Sequence, residues 1–92
     1  MRYIADITNN TQTKRLMICN KEHEYGAYLF LFDKVEDCHC YADSLFDNID
    51  GAFSDALEGF GISRDNWDEI GDSAVGCFDD RLENVKMKSK IT

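Results

Sequence analysis

A chain of 92 residues with 43% hydrophobic and 30% charged side chains is long enough for one domain with a single layered core, and too short to wrap a core around a deep catalytic cavity. Six Phe, four Tyr and one Trp supply the apolar material to offset chain entropy, which excludes wholesale disorder. The formal charge of −8, from 18 acidic and 10 basic residues, argues against direct binding to nucleic acid or an anionic membrane and favours a cationic partner.

In chain order, residues 2–8 alternate. Tyr3, Ala5 and Ile7 share one parity and Arg2, Asp6 and Thr8 the other, which predicts a half-buried strand. Asn9-Asn10-Thr11 carries turn chemistry. The short apolar run of residues 15–19 and the aromatic-rich run of residues 25–32 read as two further strands, antiparallel and buried on both faces or at the sheet centre. Ser44 followed by Asp47 looks like the start of a helix over residues 44–60. Leu45, Phe46, Ile49, Ala52, Phe53, Ala56, Leu57 and Phe60 recur at three- and four-residue spacing, with Asp47, Asp50, Asp55 and Glu58 opposite and Gly59 and Gly61 to end it. Ser63 caps a short turn through Trp67, residues 72–80 read as a long loop, and residues 82–87 as an imperfect closing strand. The expected fold class is α+β: a small antiparallel sheet with one main helix packed on one face, in the order β-β-β-α-(turn)-β. The chain has no Pro, repeat or low-complexity stretch, so residues 1–92 are expected to form a single domain.

The acidity is unevenly placed. Residues 33–83 hold 15 acidic side chains against Lys34, Arg64 and Arg81, a balance of −12, while the rest of the chain is net basic. Lys86, Lys88 and Lys90 alternate as on the solvent face of an edge strand. Met1-Arg2-Tyr3-Ile4-Ala5-Asp6 puts an acid where a secretory signal needs an apolar run, and no stretch approaches the roughly 20 apolar residues of a membrane span. A cytoplasmic location is expected, with Cys19, Cys38, Cys40 and Cys77 as reduced thiols.

The constellations of reactive side chains are weak on spacing. Cys38-His39-Cys40 is the tightest cluster, but a structural zinc site pairs cysteines in two knuckles, and Cys19, Cys77 and His23 each stand alone. Redox work lacks the two-residue spacer. Asp47-Asn48-Ile49-Asp50-Gly51 resembles half of a calcium loop, yet aligning its glycine puts Phe46 and Leu57 at ligand positions, and neither ligates. Gly59-Phe60-Gly61 is too short to cradle phosphate, no strained turn frames a nucleophile for His23 or His39, and pairs such as Asp79-Asp80 are expected by chance among so many acids. No metal, cofactor or catalytic residue is assigned, and no enzymatic activity is expected.

Arg64-Asp65-Asn66-Trp67-Asp68-Glu69-Ile70 and Gly76-Cys77-Phe78-Asp79-Asp80-Arg81 mix acids with a large aromatic, as an apolar anchor inside a charged rim would. The purely structural alternative has Trp67 and Ile70 sealing the sheet edge and Phe78 pinning the loop. Gly61 through Ile70, then Gly76 through Asp80 and Val85-Lys86-Met87-Lys88, resemble the end of a family of small, acidic, uncharacterised bacterial proteins. That resemblance covers about the last third of the chain, departs at Phe78 and at residues 82–84, and implies no activity. In size, acidity, lack of proline and layout the chain is also similar to immunity proteins of bacterial toxin systems, including those of contact-dependent growth inhibition. That similarity implies a protein that binds a basic toxin domain, such as a nuclease, and occludes it, with Asp65, Trp67, Asp68, Glu69, Asp79 and Asp80 as contacts. It implies a monomer or weak dimer before binding. The alternatives are a cytoplasmic protein-binding adaptor or regulator, and a small cysteine-based metal or redox protein.

Overall fold

A computed structural model describes residues 1–8, 10–20, 26–35 and 39–71. Their apolar runs form a five-stranded antiparallel sheet: β1 (Arg2–Asp6), β2 (Arg15–Cys19), β3 (Ala27–Phe32), β4 (Ala42–Phe46) and β5 (Asp68–Ile70), in the spatial order β4-β3-β2-β1-β5. The helix α1 (Ile49–Phe60) joins β4 to a 3-10 turn at Arg64–Asn66 and packs on one face of the sheet against β2, β3 and β4. The fold is α+β, as the hydrophobic patterning predicts, with β4 and β5 flanking the three expected N-terminal strands.

The central pairings follow from short connections. β1 and β2 meet with Arg2 opposite Cys19 and Asp6 opposite Arg15, and β2 and β3 with Arg15 opposite Phe32 and Cys19 opposite Tyr28. The loop between β1 and β2 is held by the Asn10 side chain, whose Oδ1 accepts from the Gln12 and Thr13 backbone N–H groups at 2.9 and 2.8 Å. Gly26 enters β3 at φ +76, where a Cβ would collide with the Phe46 carbonyl oxygen, so only glycine lets β3 start this close to the end of β4.

Alternation sorts the side chains into two apolar layers. Toward the helix lie Ile7, Leu16, Ile18, Ala27 and Leu29, which pack with Ala52, Phe53 and Ala56. On the opposite face lie Ile4, Met17, Cys19, Phe30, Phe32 and Ile70, also buried, with half-buried Cys40 against them. The expected solvent parity of residues 2–8 holds at Asp6 and Thr8, which are exposed, and fails at Arg2, which is 1% exposed and whose Nε donates to the Gly71 carbonyl at 2.8 Å. A long side chain such as Arg can bury its stem while its head finds a carbonyl.

The helix begins later than its periodicity suggests. Residues 42–46 form β4, so Ser44 is a strand residue opposite Leu29, and the N-cap is Asn48, whose Oδ1 accepts from the Gly51 N–H at 2.9 Å. Pairing with β3 satisfies the inward-facing backbone groups of residues 42–46, and Asp47-Asn48 then supplies the turn. Leu45 is 50% and Leu57 53% exposed, so neither belongs to the helix's buried stripe, which is Ala52, Phe53 and Ala56 with Ile49 and Phe60 beside them. Gly61, at φ 72, ends the helix in the left-handed region and donates its N–H to the Leu57 carbonyl at 3.0 Å. The expected strand over residues 82–87 and loop over residues 72–80 lie outside the described residues.

Candidate interaction surface

The acidic aromatic segment starts from the helix cap. Ile62 packs back on the helix-side core, the 3-10 turn at Arg64–Asn66 follows Ser63, and the chain extends through Trp67 into β5, which pairs with β1. Arg64 reaches back over the helix. Its Nη1 donates to Asp50 Oδ1 at 2.8 Å while its guanidinium carbon lies 4.2 Å from the centre of the Phe53 ring. Both ends of that ion pair are well exposed, so it orients Arg64 more than it stabilises the fold.

Trp67 faces the core. Its ring meets Phe53 edge-on at 5.4 Å, and Tyr3 meets the same ring edge-on at 5.4 Å from another side. The indole is half-buried, and its N–H is buried with no hydrogen-bond partner among the described residues. The strand period then divides the residues that the sequence grouped together. Trp67 and Glu69 share the helix side, where Glu69 stands opposite Tyr3. Asp68 and Ile70 share the other face, with Asp68 opposite Ile4. Asp65 is exposed on the 3-10 turn and Asp68 on β5, Glu69 is half-buried, and Asp79 and Asp80 lie outside the described residues.

The sequence grouping passed over the carboxylates of the helix and of β4. Asp55 and Glu58 stand on the exposed side of α1, and Asp43 and Asp47 stand on and just after β4. Residues 39–71 carry eight carboxylates and a single Arg or Lys, Arg64, which Asp50 already pairs. Seven of the eight are exposed, the exception being Glu69. Where β1 meets β2 the signs are balanced: Arg15 Nε donates to Asp6 Oδ1 at 2.6 Å. The long-range period of the helix was the signal for Asp55 and Glu58; nothing local marked Asp43, because residues 42–46 fit a helix as well as a strand.

Among the described residues no three of His, Cys, Asp and Glu come together as a metal site, and no helix is long and apolar enough to cross a membrane. Cys19 is buried on β2 and Cys40 half-buried beside the second apolar layer, whereas His23, Cys38 and Cys77 lie outside the described residues. What the surface offers chemically is negative charge spread over the helix, the 3-10 turn and the β4 side of the sheet. Compared with protein-family models, with curated proteins and with solved structures, the chain finds no match.

Proposed function

We propose that this is a cytoplasmic immunity protein that binds and neutralises a basic toxin domain, such as a nuclease, through its acidic surface. The observation that carries the reading is the charge of residues 39–71: seven exposed carboxylates, with Arg64 the one Arg or Lys and already paired. A nuclease requires a positive groove for phosphate, and a surface of carboxylates complementary to it associates quickly by steering and then holds through a few desolvated contacts. No catalytic group is needed for that role.

The geometry moves the emphasis within the proposed surface. Trp67 is committed to Phe53, so its value to an interface is to fix the 3-10 turn and present Asp65, rather than to insert into the partner. Asp65 remains as a contact with Asp55 and Glu58 on the helix side, Asp68 is exposed on the other face of the sheet, and Glu69 is the least accessible of the group. The test is protection: cells expressing the toxin domain encoded beside this chain should survive with wild type and lose survival with Asp55→Lys/Asp65→Lys, while the variant keeps its fold. Failure of wild type to protect would end the immunity reading.

A further inference from the structure

Among the described residues β4 is an edge strand, with β3 on one side, and Ala42, Asp43, Ser44 and Leu45 are all exposed. Along an antiparallel edge every second residue turns its N–H and C=O away from the sheet, and such a row is a template for another strand. Proteins usually blunt it with Pro, Lys or a covering element. This chain has no Pro, and β4 carries no Lys or Arg.

The side chains beside that edge have the character of a docking strip. Tyr28 and Leu45 stand opposite each other on the same face, 37% and 50% exposed, and Tyr28 is held flat against Phe30 with ring centres 5.8 Å apart and planes 4° apart. Tyr41, 39% exposed, is fixed just before the strand by a hydrogen bond between its hydroxyl and that of Thr13, and by its N–H on the Leu31 carbonyl at 2.8 Å. Between them Asp43 supplies a carboxylate opposite Phe30. A preformed strip of this kind loses little entropy when a strand is added to it.

We infer that the outer edge of β4 receives an extended, cationic segment of the partner protein as an added strand. Main-chain hydrogen bonds would supply the pairing, Asp43 would meet a basic side chain, and Tyr28 and Leu45 would meet apolar ones. Charge selects this occupant over a second copy, because edge-to-edge pairing of two such chains would set Asp43 and Asp47 of each near the other on bodies of charge −8. The inference rests on the proposed binding of a basic partner and names the place where that partner enters.

The probe is a short synthetic peptide alternating lysine and valine, titrated into the isotopically labelled full chain, with an alternating glutamate and valine peptide as control. Expected are amide shifts centred on residues 42–46, slowing of amide exchange there by about tenfold at saturation, and weakening with salt. Asp43→Lys and Leu45→Lys, both at exposed positions, should each lower affinity by about fivefold or more with an unchanged circular dichroism spectrum. Shifts confined to α1 or β5, equal response to the glutamate peptide, no response, or a dimer of the chain alone that Leu45→Lys dissociates would each overturn the β4 assignment. If the native partner still binds with steep salt dependence and Asp43→Lys leaves it unchanged, the β4 site falls while the immunity reading stands; loss of protection by wild type removes that reading instead.

Discussion

Phe53 is held on three sides: Tyr3 and Trp67 present ring edges to it, and the Arg64 guanidinium lies over its face. Truncation leaves a cavity that this aromatic cluster cannot close, so Phe53→Ala should cost about 3–5 kcal/mol in urea unfolding. Asp55→Asn, on the exposed side of the same helix, should stay within about 0.5 kcal/mol. Similar losses from both would contradict the placement of α1. A second residue-scale test is Gly26→Ala, expected to destabilise by about 1–3 kcal/mol because alanine is strained at φ +76 and its Cβ meets the Phe46 carbonyl. Phe53 as a core residue was legible from spacing alone. Arg2 was not, because its burial goes with a hydrogen bond to the Gly71 carbonyl, far away in the chain.

Among the elements, the boundary between β4 and α1 shows how two periods compete. Ser44, Leu45, Phe46 and Ile49 satisfy a helical pattern, yet the five residues Ala42–Phe46 gain more by pairing with β3, and Asn48 then takes the cap. The two candidate caps are separable by experiment: Asn48→Ala should cost about 1 kcal/mol, and Ser44→Ala under about 0.5 kcal/mol. The reverse ranking would restore a helix starting at Ser44. β5 escaped the sequence for a different reason. Three residues hold too little alternation to mark a strand, and its existence rests on the β1 edge against which it pairs.

For the molecule as a whole, composition foretold the acidic character, and the fold decides which carboxylates face water together. α1 and the 3-10 turn present Asp55, Glu58 and Asp65 on the helix side, while the β5 alternation turns Asp68 to the other face. No local pattern could have said which of Asp68 and Glu69 faces the helix, since that depends on strand register and the register on β1. A surface so biased predicts association that is fast and strongly screened by salt, and Asp55→Lys/Asp65→Lys should slow it about tenfold without changing stability by more than about 1 kcal/mol. The central claim, binding of a basic partner by this acidic surface, is tested most directly by the association rate of the purified chain with the toxin domain encoded beside it, followed across ionic strength. A rate that falls steeply as salt rises, with a slope flattened by Asp55→Lys/Asp65→Lys, is the predicted result; a rate indifferent to salt and to those charges would contradict it.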